Sequence, residues 1–408
     1  MTRRRAKYLV AFCILLSAWA ARPALPAQQQ GAASVPAPPP APQDTTEAHF
    51  SFGGNAASIP AIFVGNLIFL PVRVNGGKPV LFQLDSAAEK CAVDRKVAGD
   101  TTAAALQNSW IALPGVQLPF LSLPVISRDD FAQQVGQVYQ GTLGKDFFDR
   151  AVVEIDYHRQ TVQLYDPAVY TYSGTGKSFP LTFAGAAPLL RAKFDVSGHK
   201  SLSADFVVDT ALDAGIVFYR AFTDSERISA AHFKSEPASY PEVDGGAKIL
   251  LGRLKAFQIG PYTLEEVVAA FTQGKTKTGM GKNVAGAIGG DFLRRFTVIF
   301  DLPHQRLILE PNVDLNHDID EDMSGLSIVA KGPNLKLFEV AAVEPGTPAA
   351  KAGIQPGDVI AGIGDEAAAD LTLSAVRNLF RQVGYNYKIL IDRKGQTINV
   401  SLQMRRRV

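Results

Sequence analysis

The feature that most constrains this chain is an internal repeat. One copy runs through LPVRVNGGKPVLFQLDSAA (Leu70 to Ala88) and GTLGKDFFDRAVVEIDYHRQTVQLYDP (Gly141 to Pro167); the other runs through PLLRAKFDVSGHKSLSADFVVDTAL (Pro188 to Leu212) and GAIGGDFLRRFTVIFDLPHQRLILEPN (Gly286 to Asn312). Both hold the same parts in the same order. A strand meets a hairpin turn (Asn75 to Gly77; Ser197 and Gly198), and an apolar strand follows that ends on Asp-Ser/Thr-Ala. Later come an apolar residue with glycine (Leu143, Gly144; Ile288, Gly289), a short helix opening on Asp-Phe, and a closing hairpin through Asp156 or Asp301. Repetition at this scale is one structural unit written twice. Short Val, Ile, Leu and Phe runs broken by Gly, Asn and Pro predict mostly antiparallel sheet. The expected fold is therefore mainly β, with one lobe over residues 47–170 and a related lobe over 171–312.

The flanks differ in kind. Met1 to Ala20 joins a basic start (Arg3, Arg4, Arg5, Lys7) to a short apolar run and a small-residue end, which reads as a signal peptide. The run is short for a membrane span, so no stable span is expected after cleavage, an uncleaved anchor being the alternative. The protein is expected to be exported, periplasmic or secreted. Residues 21–46, rich in Gln, Ala, Pro and Ser, read as a disordered linker. Removal of the leader takes Cys13 with it and leaves Cys91, so no intramolecular disulfide is expected, and Cys91 reads as a small buried hydrophobe. Residues 313–324, DLNHDIDEDMS within them, read as a solvated acidic linker; Asp318, Asp320 and Asp322 alternate as in a calcium loop, but Gly325 is too late for its turn.

Two aspartates delivered by equivalent backbone suggest one chemistry. Carboxylates at close range cannot both ionise, so one keeps a proton while the other accepts one, which lets the pair handle both proton transfers of amide hydrolysis. Asp85 and Asp209 end the duplicated apolar strands. A single Asp-Ser or Asp-Thr at a strand end is most often a turn former bonding nearby amides. Duplication changes that weighting, because each aspartate follows a strand that would otherwise bury its charge at a cost. Asp156 and Asp301 also repeat, but they precede hairpin turns and read as turn residues.

FQLDSAA and FVVDTAL resemble the active-site turns of retropepsin-like aspartic proteases, and Leu143-Gly144 with Ile288-Gly289 resembles the apolar-Gly element beneath each turn; the resemblance covers about Ile62 to Asn312. It implies two fused lobes of the bacterial aspartyl protease type, with Asp85 and Asp209 as catalytic carboxylates holding a water. It implies that Ser86 and Thr210 hydrogen-bond across the lobe interface and that hairpins within 113–140 and 251–282 form flaps. With both lobes on one chain, a monomer suffices. Ala87 and Ala211 depart from the family's glycine, and where such a position requires positive φ a methyl group costs about 1 kcal/mol. An aspartic endopeptidase is the leading expectation. A noncatalytic peptide-binding or envelope scaffold protein is the alternative.

Residues 325–408 resemble a PDZ domain. VAAVEPGTPAAKAGIQPGDVIAGIGD (Val340 to Asp365) holds a strand, a turn, a short helix at Pro348 to Ala352 and a new strand at Gly357 to Ile360, and Leu371 to Gly384 has helical apolar spacing. The resemblance implies a C-terminal peptide ligand added as a strand, with Gly325, Leu326, Ser327 and Ile328 as the carboxylate-binding loop. The alternative is a domain that only packs on its own catalytic unit.

Other chemistry finds little footing. Acids and bases nearly balance at a net charge of +2, so no nucleic-acid partner is expected. SGTGKS (Ser173 to Ser178) lacks the first glycine and the helix of a phosphate loop. The scattered histidines show no metal spacing, no Gly-x-Ser-x-Gly element is present, and no cofactor or metal is expected. Arg405 to Arg407 read as a solvated basic tail.

Overall fold

A computed structural model describes residues 47–52, 56–99, 102–127, 129–228, 233–239, 248–274, 283–317 and 321–408. The expected leader, the linker 21–46 and the acidic positions Asp318 and Asp320 lie outside the described residues. The fold is mainly β. In the first copy of the repeat, strand Leu67–Val74 turns back into Val80–Leu84 through Asn75 (φ 49) and Gly76 (φ 76), residue types that tolerate the left-handed turn. Val80–Leu84 then lies parallel to the distant strand Gly141–Leu143, which pairs antiparallel with Ala92–Asp94. The second copy repeats the arrangement: Leu202–Val208 lies parallel to Val284–Ile288, which pairs antiparallel with Ile216–Phe218. Each copy builds an eight-stranded sheet.

The closing hairpins leave their own lobes and meet. Val152–Asp156 with Thr161–Tyr165, and Phe296–Asp301 with Arg306–Pro311, join antiparallel through pairs such as Val153 with Phe300, and Ala57–Ile59 and Lys177–Pro180 complete a six-stranded sheet. One hydrophobic core runs through both lobes and this shared sheet. Strand alternation divides the second lobe's sheet by face. One row, Leu190, Phe206, Phe218 and Phe271, belongs to the main core; the next, Leu189, Val207, Ala287, Val217, Ala270 and Leu251, belongs to a separate apolar cluster on the opposite face.

The C-terminal part has a fourth sheet with Leu326–Lys331 at one edge, followed by Leu337–Val343, Val359–Ile363, Asn386–Arg393 and Gln396–Gln403, and helices Pro348–Lys351 and Leu373–Leu379. Thr347 and Thr372 cap the two helices by accepting from the Ala350 and Ala375 amides. The core of this part is separate from that of the lobes.

Three expectations need correction. The acidic linker is not wholly solvated: Met323 is buried in the C-terminal core with its amide donating to Phe380 O at 3.0 Å, and Asp322 Oδ1 accepts from the Ser324 amide at 2.8 Å. An apolar residue inside the acidic run is what pulls the segment in. The basic tail is engaged too, since the Arg407 amide donates to Glu321 Oε1 at 2.9 Å and its guanidinium to Pro237 O. The hairpin turns inside the spans expected to hold flaps lie elsewhere. Val217 and Val93 pair with Ala270 and Val125, so the turns at 260–261 and 114–115 are about eight to ten residues, or roughly 30 Å, along their strands from that level. Gly115 sits against Phe52 and Ala57, and Gly260 against Phe179 of the shared sheet. In the second lobe a different hairpin, Ser235–Ser239 paired with residues 248–252, folds over the sheet; its tip is outside the described residues.

Candidate active site

Each aspartate is placed by the parallel strand beside it. The Asp85 amide donates to Leu143 O at 3.0 Å, and the Asp209 amide to Ile288 O at 2.9 Å, each adding one rung to its ladder. The chain then turns sharply. Asp85 Oδ1 accepts from the Ala87 and Ala88 amides at 3.1 and 2.9 Å, and Asp209 Oδ1 accepts from the Ala211 amide at 2.8 Å. A carboxylate satisfied by its own turn is the bland reading of these residues, and the structure contains that turn in both copies.

The two turns also lock to each other. Ser86 Oγ donates to Val208 O at 2.7 Å and accepts from the Thr210 amide at 3.1 Å; Thr210 Oγ1 donates to Leu84 O at 2.8 Å and accepts from the Ser86 amide at 3.0 Å. Both hydroxyls are fully buried. Each thus uses donor and acceptor capacity across the interface, and no hydroxyl is left unpaired at a site where that would be costly.

Gly144 and Gly289 explain the apolar-Gly element. A methyl group on Gly289 would lie 2.3 Å from Ala214 O and 2.5 Å from Leu212 O, and one on Gly144 would lie 2.5 Å from Lys90 O. Only a residue without a side chain lets the second strand end come so close beneath the aspartate turn. The alanines are a different matter. Neither Ala87 nor Ala211 has a positive φ, so their methyl groups meet no left-handed backbone. Ala87 packs instead against the apolar cluster of the second lobe.

The charges interact. Asp209 is half-buried, and burial followed by the neighbouring Asp85 charge pushes its carboxyl up to about 7, against the opposing pull of the Ala211 and Leu212 amides. Nearby Tyr157 is 7 % exposed, and its hydroxyl has no hydrogen-bond partner among the described residues; burial and the carboxylates of Asp209 and Asp213 push its phenol upward. Asp213 bridges the lobes, Oδ1 accepting from the Asn66 amide at 2.8 Å and from its side-chain nitrogen at 2.9 Å. Sequence reading missed Tyr157, Asn66 and Asp213. The one available signal was Asp213 itself, an acid in an otherwise apolar stretch just after Asp209.

The face in front of Asp209 is apolar and covered. Val207, two residues before Asp209 and so on its side of the strand, shares a cluster with Leu212, Ala214, Ala287 and the overlying hairpin residues Ala238, Ile249 and Leu251, and Val408 packs onto it. The first-lobe face differs: Gln83 and Thr142 are buried polar residues there, and the ring of Phe69, paired with Gln83, lies tilted against Tyr139 with centroids 5.2 Å apart. Cys91 is buried beneath the turn, its thiol pushed well up by burial and by Asp146, so it is not a nucleophile. Among the described residues no group of His, Cys, Asp and Glu is placed to hold a metal.

Of the expected loop residues in the C-terminal part, Leu326, Ser327 and Ile328 line a cavity of about 430 Å³, with Arg377 and Arg381 from the neighbouring helix region and Asn66, Tyr157 and Asp213 from the lobes. Gly325 has φ 77 and lies against Thr347, where a methyl group would come within 2.3 Å of its Oγ1.

A family model described as PDZ domain matches residues 339–391, and the chain contains a PDZ domain there. No curated protein matches the chain. Among solved structures, the aspartic proteinase from Irpex lacteus is similar at 14 % identity and TM-score 0.38, over 64 % of this chain and 99 % of that one. The photosystem II D1 C-terminal processing protease is similar at 30 % identity and TM-score 0.19, over 20 % of this chain and 22 % of that one.

Proposed function

We propose that the chain is an exported aspartic endopeptidase that hydrolyses peptide bonds with a water held between Asp85 and Asp209. On this reading residues 47–170 and 171–312 are retropepsin-like lobes, and residues 325–408 form a PDZ unit that recruits peptide or protein substrates. The observation that carries it is the locking of the two aspartate turns to each other, Ser86 Oγ donating to Val208 O and Thr210 Oγ1 to Leu84 O; burial and the Asp85 charge push the Asp209 carboxyl up to about 7, in the direction expected of a pair that shares one proton. The ionised carboxylate takes a proton from the water as its oxygen attacks the peptide carbonyl. The protonated partner supplies a proton to the substrate side, and the nitrogen leaves as an amine. Ser86 and Thr210 hold the two carboxyls in register, where a shift of about 1 Å costs on the order of a hundredfold in rate.

The export assignment rests on the leader, and the recruiting role on the PDZ domain. The alternative, a noncatalytic peptide binder, draws on the covered apolar face, which suits a side chain whether or not a bond is cut. Purified protein incubated with a mixed peptide library from pH 4 to pH 8 separates the two. Asp85→Asn and Asp209→Asn are each expected to lower the cleavage rate by about a thousandfold. Undiminished cleavage in either variant removes the pair from the mechanism, and no cleavage by the wild type with retained peptide binding favours the binder.

A further inference from the structure

The helix Asp129–Val135 of the first lobe occupies an unexpected position. It packs on Leu326–Lys331, the edge strand of the C-terminal sheet, on which helix Leu373–Leu379 also packs. The Arg377 guanidinium donates both to Ile328 O on that strand, at 3.3 Å, and to Gln134 O at the end of the first-lobe helix, at 2.8 Å. Gly136 follows directly with φ 78, and a methyl group there would lie 2.8 Å from Leu373 Cβ. The edge strand pairs on one side with Leu337–Val343, and a peptide joining the sheet needs the other side. Along that side lie two cavities, about 430 Å³ beside Leu326 and Ile328 and about 390 Å³ beside Lys331 and Pro333. Val135 lines the first and Ala132 the second, so one helix borders both.

The helix has a second contact. Val135 and Tyr139 cluster with Leu67 and Phe69 on the first-lobe face that contains the Asp85-side strand. The linker after it leads straight to the catalytic turn: the Gln140 amide donates to Leu81 O at 2.7 Å, and the next strand, Gly141–Leu143, holds the Asp85 amide. The same short element therefore lies between the peptide edge of one domain and the aspartate face of another.

We propose that Asp129–Val135 is the resident occupant of the PDZ groove, and that an extended peptide adding to Leu326–Lys331 displaces it and uncovers the first-lobe face. Competition for the groove needs no catalysis, so the binding half stands whether or not the aspartates cut peptides; the uncovering of a substrate face rests on the proposed function. The test uses the full chain and fluorescein-labelled hexapeptides with free apolar C-terminal residues. Two opened forms are compared with the wild type: residues 129–135 replaced by a Gly/Ser run of equal length, and Gly136→Val, which keeps the helix but forces it off Leu373. Each is expected to bind the peptides at least tenfold more tightly than the wild type. Amide exchange at residues 132–137 is expected to be faster in Gly136→Val than in the wild type, and faster in the wild type once peptide is bound. Equal affinity in wild type and opened forms, or peptide binding that leaves exchange at 132–137 unchanged, overturns the proposal, as does failure of both opened forms to bind. Tight binding without any change in cleavage leaves the displaced plug intact and removes only the link to the active site.

Discussion

At the scale of single residues, opposite pKa shifts give opposite pH signatures. Asp209 holds its proton more firmly when folded, to about 7, than the ordinary value of 3.8 expected when unfolded. The folded state then binds more protons through that window, and this group's contribution to stability falls as pH rises from about 4 to 7. With allowance for its solvent-facing side, the swing is on the order of 2 kcal/mol. Thermal melts at pH 4.5 and 7.5 are expected to show a smaller loss for Asp209→Asn than for the wild type. A second prediction concerns the alanines. Because neither takes a positive φ, Ala87→Gly and Ala211→Gly are expected to destabilise by about 0.5 to 1 kcal/mol through chain entropy, without a gain in activity, as urea titrations and rate measurements would show. From sequence alone these positions read as a threat to catalysis, because the motif specifies a residue type but not the φ that makes it necessary.

At the scale of elements, the repeat made most of the fold legible. Apolar strands ending at Asp85 and Asp209, the returning strands at Leu143 and Ile288, and the short helices Lys145–Phe148 and Gly290–Leu293 follow from patterns that depend on neighbours in sequence. The hairpin arrangement did not follow. Which strand pair arches over a sheet is set by register, and Leu251 opposite Ala270 is visible only once the strands are aligned. The crossed hydroxyls form the other unit at this scale. Thr210→Val keeps the shape but leaves the Leu84 carbonyl and the Ser86 amide without their buried partner, and is expected to cost about 2 to 3 kcal/mol. Urea unfolding checks the stability, and a fall in cleavage rate exceeding the unfolded fraction would register the misplacement of the aspartates.

At the scale of the whole molecule, the PDZ part is tied to the second lobe by a buried charge. Asp291 is 2 % exposed, with Arg294 Nε at 2.9 Å and Arg381 Nη1, from beyond the PDZ helix, at 3.3 Å. Burial pushes the Asp291 carboxyl up, but Arg381, Arg294 and Arg295 outweigh it and hold it below the usual value. Stability from this group is therefore present above about pH 4 and fades as pH drops through the lowered value, the reverse of Asp209. Arg381→Ala is expected to lose about 2 kcal/mol at neutral pH, with Arg294 limiting the damage, and the gap to the wild type is expected to narrow in acid. Calorimetric scans from pH 3 to pH 7 provide the check. Sequence alone said nothing of such a tie, since Asp291 and Arg381 meet only through the folded chain.

The shared six-stranded sheet and the crossed Ser86 and Thr210 hydroxyls fasten the halves of the molecule at two levels. Halves fastened in this way cannot swing apart like jaws without breaking the arrangement that aligns the carboxyls.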